Sequence, residues 1–296
     1  MDCKDRELTA FHPFPRIVSR ETAAMSQCAS KHFPKLERDG RVACIWLCDA
    51  DKRNALDACA LEVLELRCKE AQVLVEQHDV DVVVLRSEGA AFCAGFDLAA
   101  CAEDPSRVAE LLTRLSACVQ EFRAIDAPLV ARVQGAALAG GCALLTACDF
   151  VVVAADSQLG YPTHRIGISP AISIPTLFSR MGARARAMLM ANELMNGRTA
   201  LEHGLATHCV DRGEDLDAAV TTLVERLLAK GPLAMRATKQ WMRRIEECDS
   251  GEFGRACGRD AGALTDARDA SIALASGEEF ANMLRAFWAS RAKARE

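Results

Sequence analysis

The chain reads as an α/β protein with a largely parallel, buried sheet, followed by an all-helical tail. Short β-rich runs alternate with helical stretches from residue 36 to about 215, and beyond that the strands stop. The chain has 296 residues, half of them hydrophobic and 26% charged, so a large core can form and wholesale disorder is excluded.

Taken in order, residues 1–33 form a segment of their own. Pro13, Pro15 and Pro34 interrupt it and no period is sustained, which predicts a flexible extension. Asp2, Asp5, Glu7 and Glu21 are wrong for an acidic-poor transit signal, and MDCKDRELTA has charges where a signal peptide needs an apolar stretch. The core is expected over 34–215. Its strand candidates are Arg41–Cys48, Val82–Leu85, Leu129–Val133 and Phe150–Ala154. Leu61, Leu64, Cys68, Ala71 and Val75 follow helical spacing, with Asn54 or Asp57 available as N-cap. Helices are predicted over Leu216–Lys230, Leu233–Glu247, Asp260–Ala275 and Glu278–Lys293, broken at Gly231-Pro232 and Gly277. Residues 216–296 are therefore expected to be a helical C-terminal region.

Composition narrows the function classes. With 36 basic and 41 acidic side chains the net charge is −5, and no basic block is present, so nucleic acid is not the expected partner. No run approaches the roughly 18 apolar residues needed to span a bilayer, so no membrane partner is expected. The 14 cysteines contain no CxxC pair, and Cys44, Cys48, Cys68, Cys118, Cys142 and Cys148 stand where Ala or Val would serve. Buried free thiols in the reducing cytoplasm are the expectation. His203, His208 and Cys209 lack metal-site spacing, so no metal is expected.

Two glycine-containing segments carry the chemistry. Phe92-Cys93-Ala94-Gly95-Phe96-Asp97-Leu98 follows the VVVL strand, and Gln134-Gly135-Ala136-Ala137-Leu138-Ala139-Gly140-Gly141-Cys142 follows LVARV and opens a helix running to about Cys148. Neither contains GxGxxG, GxxxxGK[ST] or GxSxG. Glycines at such junctions admit close approach of a ligand to the backbone, and a helix start aims N–H groups at negative charge. A purely structural turn would use the same residues.

At this spacing the two segments resemble the enoyl-CoA hydratase/isomerase (crotonase) superfamily. The resemblance runs from about residue 36 to 293: Asp39-Gly40-Arg41-Val42-Ala43, then DKRNAL (51–56), VVVLRSEGAAFCAGFDL (82–98), APLVARVQGAALAGGCALLTACDF (127–150), GYPTHRIGISP (160–170), GRTALEHG (197–204) and KGPLAMRATK (230–239). It implies a spiral of β-β-α turns, helical C-terminal elements that build a homotrimer or dimer of trimers, and an acyl-CoA thioester as substrate, with coenzyme A part of that substrate and no separate cofactor. The shared chemistry is stabilisation of a thioester enolate by two backbone N–H groups, here those of Phe96 and Gly140. Phe at 96, where hydratases commonly have Ala, leaves those donors intact but narrows or reshapes the acyl pocket. Ala55, Leu56, Ala94, Leu98, Gly141 and Thr163 match substrate- and CoA-contacting positions. Phe287 and Arg291 match the region where a neighbouring subunit supplements the CoA site.

The sequence departs from the family where hydratases carry two glutamates. Ala143 stands at the first of these positions and Thr163 at the second. Ala171 stands at a third acidic position used by some isomerases and dehalogenase-like members. Positioned acid–base groups contribute 10²–10⁴-fold, so ordinary hydration should be crippled. Tyr161 and Thr163 are polar, but neither has a suitable unperturbed pKa. His164, Glu103 and Asp104 are the candidate replacements, the last two in the segment that covers the acyl pocket in relatives. Two readings stay open: an acyl-CoA enzyme with atypical acid–base groups, or an inactive acyl-CoA-binding homologue with a scaffold or regulatory role.

Overall fold

A computed structural model describes residues 32–99, 101, 104–249, 271–272 and 277–293. Most of the predicted extension and of the predicted helix Asp260–Ala275 lie outside the described residues.

The large sheet has six strands in the order β1-β2-β3-β4-β6-β9: β1 (Lys35–Asp39), β2 (Val42–Leu47), β3 (Val82–Ser87), β4 (Leu129–Val133), β6 (Phe150–Ala154) and β9 (His208–Val210). Only β1 runs antiparallel to its neighbour; the rest are parallel, as predicted. Strands β5 (Ala136–Leu138), β7 (Gln158–Gly160) and β8 (Met195–Asn196) form a second, three-stranded sheet. The chain lays a strand in the large sheet, a short strand in the small one, then a helix. β4, β5 and α3 (Gly140–Thr146) make one such turn. β6, β7 and α4 (Ile174–Met181) make the next, so the β-β-α spiral is present.

One face of the large sheet carries α1 (Ala58–Glu76) and α2 (Arg107–Ala124). Leu61, Leu64, Cys68, Ala71 and Val75 of α1 are buried, the stripe that the spacing predicts. Leu111, Leu115, Cys118, Val119 and Phe122 line the facing stripe of α2. Burial of each such large side chain contributes about 2 kcal/mol. Asp57 is the N-cap of α1, accepting from Ala60 N–H at 2.7 Å. Asn54 serves elsewhere: it is buried and donates through Nδ2 to Glu88 O and Ala91 O, both at 2.9 Å.

The opposite face is covered by α7 (Leu216–Leu228), which follows α5 (Arg184–Ala191) and α6 (Gly197–Glu202) in the chain. Leu216, Val220, Leu223, Val224 and Leu227 pack on Cys44, Val82, Val84, Val130, Val152 and Ala154. The tail therefore begins with a helix that completes the core. α8 (Pro232–Asp249) is tied down by charge: Lys239 Nζ donates to Asp149 Oδ2 at 2.6 Å and to Ala127 O at 2.9 Å. Glu279, on α9 (Glu278–Lys293), caps α8 by accepting from Leu233 and Ala234 N–H at 2.9 and 3.0 Å. Leu233, Met242, Ile245, Phe280, Met283 and Leu284 remain exposed on these last two helices.

Cys44, Cys48, Cys68, Cys118, Cys142 and Cys148 are free and buried, as the composition predicts. Among the described cysteines, Cys59 differs in being disulfide-bonded. Among the described residues no helix is long and apolar enough to cross a membrane. No group of three metal-ligating side chains occurs among them.

Candidate functional site

The two glycine-containing segments converge on one cavity. Segment Cys93–Asp97 is clamped between two neighbours. On one side Ala94 N–H donates to Arg53 O (3.0 Å), Leu56 N–H to Gly95 O (2.7 Å) and Asp97 N–H to Leu56 O (2.9 Å). On the other, Cys93 N–H donates to Ala136 O and Leu138 N–H to Cys93 O, both at 2.9 Å. Gly95 has φ +98°, a conformation open to glycine, and its backbone sits against β5: a Cβ there would lie 3.1 Å from Leu138 O and 3.8 Å from Gly140 N. That approach brings the two helix-start segments side by side.

Gly140 is the first residue of α3, so its N–H has no intrahelical acceptor. Ala139 before it has φ 48°, an uncommon conformation for a side-chain-bearing residue. The chain turns sharply there from β5 into the helix. Among the described residues neither Phe96 N–H nor Gly140 N–H has a hydrogen-bond acceptor. The Phe96 ring lies over the same glycine, with Cε1 3.5 Å from where a Gly140 Cβ would stand. Gly141 is needed for packing, because a Cβ there would meet Cys93 O at 2.5 Å.

The cavity encloses about 150 Å³. Ala94, Phe96 and Leu98 line it from one segment, Gly140 and Ala143 from the other, and Tyr161, Thr163 and Ser173 from the turns after β7. Leu112, Leu115, Ile166, Ile168 and Ile172 complete an apolar wall. Tyr161 and Thr163 are buried, and among the described residues neither hydroxyl oxygen has a partner within ordinary hydrogen-bond geometry. Burial, with the Cys142 thiol adding to it and Ser173 opposing it, holds the Tyr161 phenol well above its ordinary pKa, so it remains protonated. Burial likewise pushes the Cys93 and Cys142 thiols up to about 12, which disqualifies both as thiolate nucleophiles.

The remaining predicted residues fall as follows. Ala55 and Leu56 lie in the loop that pairs with Gly95–Asp97. Lys52, on that loop, bonds Asp97 at 2.8 Å, and this bond with the Ala99 N–H holds the Asp97 carboxyl below its usual pKa. His164 sits in the 3-10 turn Pro162–Ile166 but is exposed and outside the cavity lining. Asp104 is exposed and accepts from the Ser106 hydroxyl at 2.6 Å, a turn-bracing role. Glu103 lies outside the described residues. Ala171 is exposed and does not line the cavity. Phe287 and Arg291 are on α9, and their side chains are outside the described set.

A larger cavity of about 350 Å³ under α8 contains none of the predicted residues. Its basic groups are already engaged: Lys239 with Asp149, Arg243 with Asp126, and Arg180 with the Leu145 and Cys148 carbonyls.

The enoyl-CoA hydratase/isomerase family model matches residues 37–262, nearly the whole core and much of the tail. The chain belongs to the enoyl-CoA hydratase/isomerase family. It is 30% identical to the crotonyl-CoA hydratase of Syntrophomonas wolfei over 69% of this chain and 78% of that one. Against the mitochondrial methylglutaconyl-CoA hydratase of Rattus norvegicus it is 28% identical, over 76% of this chain and 72% of the relative. The solved structure of Pseudomonas aeruginosa AtuE superposes with a TM-score of 0.75 at 28% identity, covering 86% of this chain and 95% of that one. An enoyl-CoA hydratase from Bacillus anthracis shares the fold, with a TM-score of 0.77 at 23% identity over 87% and 96% of the two chains. The crotonase-like spiral expected from the sequence is thus the fold of this chain.

Sequence reasoning did not find Ser173 or the isoleucine wall. These residues reach the cavity through irregular turns, where no periodicity announces which side faces inward. Leu112 and Leu115 have the i, i+3 spacing of one helix face, which was the available signal.

Proposed function

We propose that this protein binds an acyl-CoA thioester with its carbonyl oxygen between the Phe96 and Gly140 amides and stabilises the enolate formed there. The observation that carries this reading is the pair of acceptor-free N–H groups on two segments brought together at one apolar cavity. Preorganised main-chain donors stabilise developing oxyanion charge without reorganisation, and each is worth about 3 kcal/mol. The relatives named for enoyl-CoA hydration support the ligand class.

Ala143 and Thr163 line the cavity where hydratases of this family carry glutamates, so the acid–base chemistry is atypical. That same observation favours a second reading, an acyl-CoA-binding homologue without turnover. The exposed apolar side chains of α8 and α9, among them Met242 and Phe280, support assembly as a homotrimer or dimer of trimers. The many free buried thiols favour a cytoplasmic setting, against which the Cys59 disulfide stands.

Binding of butyryl-CoA, measured by calorimetry, tests the reading. Gly140→Val pushes branched carbons toward Leu56, Phe96 and Leu115, which stand 3.4–3.6 Å from the Cβ position, and closes the approach to the amides. Binding should be lost; wild-type affinity in that variant refutes the assignment. Steady-state assays over a panel of acyl-CoAs, with α-proton exchange as the most permissive readout, separate an enzyme from a binding protein.

A further inference from the structure

We infer that the acyl group this cavity accepts is an uncharged hydrocarbon of about four to six carbons, and that the Phe96 ring is the residue that sets its length. The inference rests on the acyl-CoA reading above and deepens it by naming the class of acyl group.

Phe96 enters the site twice, through an N–H that almost any residue would supply and through a ring that few would. The ring is wedged at the start of α3. Leu56 Cδ1, Phe96 Cε1 and Leu115 Cδ2 stand 3.4, 3.5 and 3.6 Å from where a Gly140 Cβ would be, so three side chains meet beside the second amide. Phe96 is half-buried and packs on the main hydrophobic core, which holds the ring as a wall of the cavity. Leu98, Leu112, Ile168 and Ile172 bound the remaining space, about 150 Å³. A cavity of about that size, lined by aliphatic and aromatic side chains, stays dry and takes a six-carbon ring. Carbons beyond about the sixth therefore find no further apolar surface to cover.

The chemistry of the wall fixes the charge. Among the described residues no Lys, Arg, His, Asp or Glu lines the cavity. The Tyr161 and Thr163 hydroxyl oxygens are themselves buried, so those two residues turn carbon toward the space. A carboxylate carried in on the acyl chain would lose its water and meet no cation, and proteins bury such a group only when it is paired. A neutral chain gains instead. Each methylene moved from water onto an apolar wall is worth about fourfold in affinity. A series of chain lengths thus reads the cavity through binding alone, whether or not the protein turns its ligand over.

The test measures calorimetric affinities of the full chain for acetyl-, butyryl-, hexanoyl-, octanoyl- and decanoyl-CoA. Glutaryl-CoA is compared with pentanoyl-CoA, which has the same five carbons without the terminal carboxylate. Affinity should climb about fourfold per methylene to butyryl- or hexanoyl-CoA and then stop rising, and glutaryl-CoA should bind at least tenfold more weakly than pentanoyl-CoA. In Phe96→Ala the climb should continue to octanoyl- or decanoyl-CoA, with at least a tenfold gain for the latter over the unaltered protein. Phe96→Leu should move the limit less, and it carries the test if thermal unfolding shows the alanine variant to be unfolded. Affinity that keeps rising to decanoyl-CoA in the unaltered protein, or that ignores chain length, refutes the size limit and leaves the acyl-CoA reading standing. Glutaryl-CoA binding as tightly as pentanoyl-CoA refutes the exclusion of charge. An unmoved limit in both Phe96 variants refutes the role of the ring. Should no acyl-CoA bind, this inference and the acyl-CoA reading fall together.

Discussion

Leu56 and Phe96 meet as a single parallel β-bridge, in which Leu56 donates to Gly95 O and accepts from Asp97 N–H. That pairing uses the Gly95 carbonyl and the Asp97 N–H and leaves the N–H of Phe96 itself free to face away from Leu56. The free amide then stands beside the start of α3, because Gly95 packs against Leu138 and Gly140. An N–H pair of this kind follows from one bridge, one glycine and one helix start. The side chain at 96 is free to change without removing the donor.

The adjacent glycines should respond differently to the same change. Gly141→Ala forces a Cβ onto the Cys93 carbonyl at 2.5 Å, where backbone must shift. Overpacking of this kind costs about 1–3 kcal/mol, visible as a lower urea midpoint. Gly140→Ala places its Cβ at ordinary contact distances, 3.4 Å or more, and should change the midpoint far less.

Crotonyl-CoA hydration should be slow. With Ala143 and Thr163 at the lining positions, no carboxylate among the described cavity residues can deliver water or protonate the α-carbon. A kcat within the ordinary range of about 1–10³ s⁻¹ would show that another group supplies the acid–base work. Installing Glu at both positions should raise the rate more than either single change, since hydration uses both groups together.

Asp149 is the charge that interrupts the apolar run Cys142–Ala155, and Lys239 neutralises it at 2.6 Å with both side chains largely buried. Lys239→Met leaves that carboxylate without its cation. Loss of one partner of a buried pair costs about 3–5 kcal/mol, and the partial exposure of Asp149 places the loss toward the lower figure. Equilibrium urea unfolding reads it directly.

The Lys52–Asp97 pair sets a pH dependence. Its folded-state pKa is depressed below the unfolded value of 3.8, first by the Lys52 hydrogen bond. The stabilisation is therefore complete well above 3.8 and is lost as pH falls through the lower folded value. The stability difference between the protein and Asp97→Asn should be constant near neutrality and shrink below about pH 4, followed by thermal unfolding across pH.

Much of this architecture is legible in the chain. Leu129–Val133 and Phe150–Ala154 are strands with the bounds that their composition predicts. Arg41–Cys48 shrinks by one residue at each end to Val42–Leu47. β5, β7, β8 and β9 escape notice because two or three residues cannot express a period. β1, KLERD, is too charged to look like a strand and is held by pairing with β2. The ambiguity between Asn54 and Asp57 as helix cap could not be resolved locally, since Asn54 is claimed by carbonyls more than thirty residues away. At the site, the glycines mark Phe96 and Gly140, whereas the exposure of His164 depends on a turn whose facing no spacing reveals.

The central claim is that the Phe96 and Gly140 amides receive the thioester oxygen. A crystal structure of the protein with butyryl-CoA bound tests it most directly. The carbonyl oxygen is expected about 2.7–3.1 Å from both nitrogens, with the acyl chain running between Phe96 and the Ile166–Ile172 wall. A fully occupied thioester whose oxygen contacts neither amide would contradict it.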